Sequence, residues 1–463
     1  MTTLPGLSLS APQESFPQTS VLRTQDLPAG SEYRFEVSFS RSLGVKLLSG
    51  TAELFGTELA PNTKDPYTFS GTKGAIYTWH GCKLELSGEA ESEYTAEETQ
   101  MMSYANAHFA LENVRERAKA VGQMGPRVLV VGPENAGKTS VVRILTAYVV
   151  KAGRQPVVVN LDPRQGMLSV PGSLTAATFA SILDVEEGWG SSPISGPSPV
   201  PVKMPLVYHY GLASPEEGKT FRPLVTRMAL AMTSRLEEDA EAKTAGCIID
   251  TPGAISHGKG GVYENIQHII SEFSVNVLLV LGSERLYSDM SRKFSNRPSE
   301  EPVSVIKLDK SGGCVDRDEF YMKQLRQSQI RAYFFGHGVN TLSPHTHWED
   351  YSSVHIFKVV EEAKNTNRSF LPGDDDDENA STTIYEKVQP SPMIQNSLLA
   401  VTNADPNDRQ EAIRDSSIMG YVYVADVEEA KHKIRLLAPL SGRVPPHAMV
   451  LGSFPEDVAD LVG

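Results

Sequence analysis

Long apolar runs are missing from this chain of 463 residues. Nothing approaches the ~20 apolar residues that a membrane-spanning helix needs. Cysteine is scarce: Cys82, Cys247 and Cys314 lie far apart and form no CxxC pair, which excludes a disulfide framework or cysteine zinc site and suits a reducing compartment. Positive charge is also short, with 43 Lys and Arg against 57 Asp and Glu, a formal charge of −14 and a pI near 5.3. Coating nucleic acid non-specifically takes many cations to displace counterions, so any nucleic-acid contact is expected to be local. The opening stretch MTTLPGLSLSAPQESFPQTS has neither a basic leader nor an apolar signal segment. These absences leave a soluble, intracellular protein with no membrane role, long enough for about three domains at roughly 150 residues each.

What is present falls into blocks. After a polar tail over 1–24, YRFEVSFSRSLGVKLLSGTAELFGTELA and AIYTWHGCKLELSGEAESEY alternate apolar and polar residues in short runs cut by glycine. That pattern predicts a small antiparallel β domain over 25–110. From Ala105 to Val121, Phe109, Leu111 and Val114 stand among charges, which predicts an amphipathic linking helix. A central block, 111–347, changes period: RVLVV ends at a glycine loop, SVVRILTAYVV has helical spacing, and PVVVNLD is a second buried-strand run. Strand, loop, helix, strand is a βαβ unit and implies a mainly parallel sheet. AGCIIDT and VNVLLVLG read as further strands and YENIQHIISEF as a helix, while the Pro- and Ser-rich 190–205 reads as a surface loop. The block 348–463 turns β-rich again in SSVHIFKVV, SIMGYVYVADV and KHKIRLLAPL. Within its loop 373–381, the five acids from Asp374 to Glu378 predict a solvated segment. The expected fold class is an α/β P-loop NTPase domain flanked by an N-terminal β-sandwich-like domain and a C-terminal β-rich (α+β) domain.

The chemistry centres on GPENAGKTS. Gly132, Gly137, Lys138 and Thr139 hold the fixed positions of GxxxxGK[ST], with Asn135, Ala136 and Ser140 completing the loop. Glycines let successive backbone N–H groups point inward at phosphate oxygens, and the following helix adds the positive end of its dipole. The lysine then reaches the outer phosphates and the threonine hydroxyl reaches Mg²⁺. Carboxylates at neighbouring strand ends complete such a site, and Asp162 and Asp250 occupy those places as candidates for metal or base. Asp162 precedes a proline, so capping its own turn is the plainer alternative. DTPG, Asp250 to Gly253, resembles the DxxG switch of GTPases, but no NKxD follows it, which disfavours a GTPase. A second glycine loop, LDKSGGCVDRDEF, places Lys310 and Arg317 around Gly312 and Gly313. It fits either a lid that closes on a triphosphate or a plain turn.

Taken in order, GSEYRFEV, GTAELFGTEL, YTWHG, GPENAGKTS, NLDPRQG, DTPG and LDKSGGCVDR resemble the eukaryotic polynucleotide 5′-hydroxyl-kinase family, in its branch within the pre-mRNA cleavage and polyadenylation machinery. The fungal form of that branch is a subunit of cleavage factor IA. The resemblance runs from about Asp26 to the C-terminus. It implies ATP with Mg²⁺ as cofactors, a nuclear address, other cleavage and polyadenylation subunits as partners, and in particular the cleavage-factor subunit that contacts the C-terminal domain of RNA polymerase II. It also implies that adenine is read partly by Glu32 and Lys73, which pattern alone would leave as surface charges. Active kinases of the family use the loop lysine and hydroxyl, here Lys138 and Thr139, an aspartate base, here Asp162, a tryptophan after the DTxG motif, and two lid arginines. This chain departs from them: Ala254 stands in the tryptophan's place, DPRQ replaces DVGQ, and Arg317 matches the first lid arginine while Met322 stands at the second, with Lys323 and Arg326 nearby as substitutes. Two readings follow. One is an ATP-binding scaffold of mRNA 3′-end processing and transcription termination that contacts RNA through its complex. The other is an active ATP-dependent RNA 5′-hydroxyl kinase acting through Lys138, Asp162 and Arg317. The incomplete phosphoryl-transfer set favours the scaffold. Arg285, Arg292, Lys293 and Arg297 form a basic cluster that suits either a partner surface or a solvated helix face.

Overall fold

The computed structural model describes residues 22–190, 205–216, 219–258, 261–295, 302–337, 340–361, 383–459 and 461–462. The acidic run from Asp374 to Glu378, Arg297 and nearly all of the 190–205 loop lie outside the described residues.

The N-terminal part is a sandwich of two antiparallel sheets. One orders the strands Arg23–Leu27, Cys82–Gly88, Leu43–Gly50 and Tyr67–Phe69, and the other orders Thr57–Glu58, Glu53–Leu54, Thr72–Thr78, Ser31–Val37 and Ser92–Ala96. Alternation places Tyr33, Phe35 and Val37 in the core between the sheets, against Val45, Leu47, Leu84 and Leu86. Glu32, Arg34 and Glu36 therefore share the opposite face, which is turned toward the central domain.

The linking helix spans Met101–Val121 and starts earlier than its apolar spacing suggests. Phe109, expected on its buried face, is 62 % exposed, while Tyr104, His108, Leu111 and Arg115 are buried. The reason is that the helix packs on charged neighbours as well as apolar ones. Arg115 is fully buried because its Nε donates to the Ala245 carbonyl at 2.9 Å and its guanidinium pairs with Glu112 at 3.4 Å.

The central sheet orders its strands Leu206–His209, Ser173–Thr178, Val157–Asn160, Cys247–Asp250, Arg127–Val131, Val277–Leu281 and Ser304–Leu308. Its last five are parallel, and Ser173–Thr178 runs antiparallel to both of its neighbours. Helices cover both faces: Lys138–Lys151 with the linking helix on one, Phe221–Glu238 and Glu264–Glu272 on the other. The C-terminal sheet orders His345–Asp350, Lys433–Ala438, Ile418–Glu428, Leu398–Thr402, Ala448–Leu451, His355–Val359 and Tyr385–Val388. Only the pairing of His355–Val359 with Ala448–Leu451 is parallel among its described strands. The helix Glu319–Phe335 joins the two halves, packing Ile330, Tyr333 and Phe334 against Ala400, Tyr421 and Tyr423. The expected layout of sandwich, P-loop domain and β-rich C-terminal region is the one observed.

Candidate functional site

The strand Arg127–Val131 is buried along its whole length and delivers the chain to the phosphate loop at the carboxyl edge of the sheet. Asn135 at φ 55° and Gly137 at φ 88° are both left-handed, the backbone curl that a phosphate-cradling loop requires. Gly137 has a second requirement, since a Cβ there would lie 2.6 Å from Cys314 Sγ of the second glycine loop. The loop is pinned from below: Gly132 N–H donates to Ser256 Oγ at 3.1 Å, and Ser256 Oγ donates to the Gly132 carbonyl at 2.9 Å.

Lys138 curls back so that its Nζ donates to the Pro133 carbonyl at 2.8 Å. Burial pushes its pKa down, while Asp250 and Asp162 pull it up. Thr139 Oγ1 donates to Asp250 Oδ2 at 2.6 Å. Burial raises Asp250 to about 6 against the pull of that hydrogen bond and of Lys138. Asp162 lies two residues beyond its strand, where its N–H donates to Asn160 Oδ1 at 2.9 Å. Its Oδ1 accepts from Arg164 N–H at 3.0 Å and its Oδ2 from Gln165 Nε2 at 3.1 Å, so Asp162 does cap its own turn while remaining beside the loop.

Arg317 comes down from the second glycine loop. Its Nε donates to Asn135 Oδ1 and its Nη1 to Gln165 Oε1, each at 3.3 Å, which bridges the phosphate loop and the Asp162 turn. Met322 lines the same space as a buried thioether. The two nearby cations do not replace its missing charge. Lys323 is exposed, and Arg326 is 1 % exposed and committed to Glu319 Oε1 at 2.6 Å and Glu456 Oε2 at 2.9 Å. Of the pair placed around Gly312 and Gly313, only Arg317 faces the cavity; Lys310 is exposed.

The far wall belongs to the N-terminal sandwich. Glu32 is 4 % exposed, accepting from Arg34 Nε at 2.7 Å and from the Thr99 hydroxyl, and Arg34 Nη2 also donates to the Glu98 carbonyl at 2.6 Å. Lys73 pairs with Glu36 and stands 5.1 Å from the centre of the Tyr321 ring. These elements enclose a cavity of about 340 Å³. Ten of the sequence-derived residues meet there: Glu32, Lys73, Asn135, Ala136, Gly137, Lys138, Thr139, Ser140, Asp162 and Arg317. Gly132 and Asp250 lie beneath it, one at the base of the loop and the other behind Thr139.

Three cations in the wall escaped the sequence reading. Arg34 shares a strand face with Glu32, and period-two counting would have found it once Glu32 was placed inward. Arg143 sits on the helix after the loop, donates to the Asp184 carbonyl at 2.9 Å and is lowered by burial to about 10; partners so distant in sequence gave no local signal. Arg164 was visible only as a departure in DPRQ. In the basic cluster, Arg285, Arg292 and Lys293 all lie on the helix Glu284–Ser295, with Arg285 3.9 Å from Asp289.

A buried parallel strand, a left-handed phosphate loop, an invading lysine and a hydroxyl on a strand-end aspartate define a P-loop protein of the nucleotide-binding class. Family models match three consecutive stretches: the N-terminal beta-sandwich domain of polyadenylation factor at 26–118, the mRNA cleavage and polyadenylation factor CLP1 P-loop at 132–336, and the pre-mRNA cleavage complex II protein Clp1 at 342–456. The chain belongs to the Clp1 family of mRNA cleavage and polyadenylation factors. It is 64 % identical to the mRNA cleavage and polyadenylation factor CLP1 of Phaeosphaeria nodorum over all of both chains. It is 58 % identical to that of Botryotinia fuckeliana over 95 % of this chain and 94 % of the relative. Among solved structures it resembles the wild-type Clp1p–Pcf11p complex, with a TM-score of 0.82 and 30 % identity over 94 % of this chain and 97 % of the other. A second structure, of an extended Pcf11p–Clp1p interface and the basis of ATP loss in a glycine-to-arginine point mutant, has a TM-score of 0.81 at 30 % identity over 94 % of this chain and 98 % of that one.

Proposed function

We propose that this chain is an ATP-binding subunit of the nuclear pre-mRNA cleavage and polyadenylation machinery, in which the bound nucleotide clasps three parts of the molecule into one scaffold. The observation that carries this reading is the make-up of the cavity wall. It is shared by the outward face of the sandwich, the phosphate loop, and the glycine loop with the helix that bears the C-terminal sheet. A ligand seated there stabilises the assembled arrangement through its differential affinity for the closed form.

The residues fit a magnesium nucleotide. The backbone N–H groups of the curled loop Asn135–Ser140, together with Lys138 and Arg317, suit the phosphates, and Glu32 with Lys73 suits the base; carboxylate acceptors and lysine donors match an adenine edge. Thr139, Asp162 and Asp250 would hold Mg²⁺, which supplies charge neutralisation on the outer phosphates when bound. Among the described residues no cluster of three or more His, Cys, Asp or Glu is arranged around a metal position, and nucleotide-bound magnesium needs none, because phosphate oxygens and waters fill its shell. Pcf11p binds the similar Clp1p in solved complexes, and we infer that the partner of this chain is the corresponding subunit.

Lys138, Thr139, Asp162 and Arg317 do converge, and that alone favours the second reading, an RNA 5′-hydroxyl kinase. Against it, Ala254 and Met322 form part of the wall and offer neither a stacking ring nor a cation. Stacking on an aromatic is worth roughly 1–3 kcal/mol per base.

Denaturing the purified protein and identifying the released nucleotide tests the proposal, with labelled ATP and a 5′-hydroxyl RNA incubated in parallel. The expected outcome is released ATP and no labelled RNA. Lys138-dependent labelling of RNA would sink the scaffold reading, and a protein that emerges empty with no measurable ATP affinity would sink both.

A further inference from the structure

We propose that Arg164 is a third cation at the cavity's phosphate end, beside Lys138 and Arg317: it recognises the terminal phosphate of a nucleoside triphosphate and supplies, from the turn after Asp162, a charge that Met322 lacks. The inference rests on the ATP-binding reading above.

The turn itself aims the side chain. Pro163 fixes its own φ, and Asp162 Oδ1 holds the Arg164 N–H at 3.0 Å. The guanidinium is thereby sent across the cavity, where Nη1 meets Glu134 Oε1 at 3.1 Å and Nη2 meets Glu319 Oε2 at 2.9 Å. Arg317 makes the parallel crossing one residue along, from Gln165 to Asn135. Two guanidiniums thus reach adjacent residues of the phosphate loop, Arg164 at Glu134 and Arg317 at Asn135. Glu319 lies one helical turn before Met322 on the helix Glu319–Phe335, so Arg164 covers the place from which a lid cation at 322 would have acted.

The present carboxylate partners are poor competitors for a phosphate. Glu134 and Glu319 are 52 % and 67 % exposed at the side chain, whereas Arg164 is 29 % exposed. Exposed ion pairs contribute little, so exchanging one for a multiply charged phosphate costs little. The planar guanidinium fork is also matched to two phosphate oxygens at once. DPRQ, a departure from the kinase pattern, becomes under this inference an equipment change: the acceptor-side turn gains a cation that grips the nucleotide.

The test is titration of ATP and ADP, each with Mg²⁺, into nucleotide-stripped wild-type protein and the variants Arg164→Gln, Arg164→Lys and Glu319→Gln, with a thermal melt of each stripped variant as the folding control. Arg164→Gln is expected to weaken ATP about tenfold and ADP less than about threefold, the loss of one charge-assisted contact to the terminal phosphate. Arg164→Lys should recover part of the ATP affinity. Glu319→Gln, by freeing the guanidinium, should leave ATP binding as tight as wild type or tighter. Equal losses for ATP and ADP, or a Glu319→Gln variant that loses ATP as Arg164→Gln does, overturns the inference and makes Arg164 a strap between loop and helix. Wild-type binding with an unaffected Arg164→Gln variant overturns this inference alone. A wild-type protein without ATP affinity brings down the functional reading and this inference together.

Discussion

His209 closes the edge strand Leu206–His209 where the central and C-terminal sheets meet, and only 5 % of it is exposed. Its Nδ1 shares a hydrogen bond with the Tyr421 hydroxyl at 3.1 Å, and its Nε2 is buried without a hydrogen-bond partner among the described residues. The groups it faces are the phenols of Tyr421 and, behind it, Tyr333, whose hydroxyl accepts from Tyr421 N–H at 2.9 Å. Burial alone pushes the imidazole down to about 4, against about 6.5 in the unfolded chain. Between those values the unfolded state takes up a proton that the native state refuses, so stability is full above about 6.5 and is lost as pH falls toward 4. The slope this histidine adds is at most about 1.4 kcal/mol per pH unit. Urea midpoints measured from pH 7 to pH 5 on wild type and His209→Gln should show a shallower acid loss in the variant, and equal slopes would remove His209 from the account. At this scale the sequence was legible only where a motif stood behind a residue. The loop lysine, its threonine and Asp162 are named by spacing, but the inward turn of Glu32 depends on which face of a sandwich strand meets another domain. The commitment of Arg326 to Glu456 is likewise a contact across 130 residues, and no local pattern records it.

The helix Lys138–Lys151 is clamped between the central sheet and the N-terminal sandwich. On its outer side the Tyr148 hydroxyl donates to Glu53, and Lys151 pairs with Glu58. Gly56 comes so close that a Cβ there would lie 3.0 Å from both the Ala147 Cβ and the Ile144 carbonyl oxygen, in a backbone at φ 84°. Both facts oppose any side chain, one by overlap and the other by left-handed strain. Gly56→Ala should therefore lower stability by about 1–3 kcal/mol. Because it lifts the sandwich from the helix that begins at Lys138, it should also weaken ATP binding. A thermal melt with and without ATP checks both effects, and an unchanged melt in either condition counts against the clamp. Elements with an apolar run or clean alternation were legible beforehand, among them Arg127–Val131, Val277–Leu281 and Ile418–Glu428. Ser173–Thr178 was not, because SLTAAT is wholly buried yet built from small and hydroxyl residues that form no apolar run. Helix Phe221–Glu238 carries Leu224, Val225, Met228 and Met232 at helical spacing. Its Pro223 sits in the first turn, where a proline lacks nothing that the helix needs.

Across the whole molecule, a chain of charges runs from the phosphate loop to the C-terminal region: Glu134 to Arg164, Arg164 to Glu319, Glu319 to Arg326, and Arg326 to Glu456. Arg326 is its pivot, 1 % exposed, with its guanidinium 5.2 Å from the centre of the Phe454 ring. The three-part layout was legible because each block keeps its own periodicity. This link was not, since its members belong to four separate segments. A buried cation depends on its partners more than they depend on it, because Glu319 and Glu456 reach solvent at 67 % and 35 % of their side chains. Removing the acid is therefore the harsher cut. Glu456→Ala leaves a buried guanidinium with one largely solvated partner and should cost about 3 kcal/mol. Replacing the pair together, Arg326→Met with Glu456→Met, deletes both charges and should cost clearly less. Chemical denaturation of the three proteins measures the order, and a double variant as unstable as Glu456→Ala would show that shape rather than charge holds this junction. If the helix Glu319–Phe335 also transmits the disturbance toward the cavity, Glu456→Ala weakens ATP binding although no atom of residue 456 lines the site. Undiminished ATP affinity in that variant would confine the network to holding the C-terminal sheet in place.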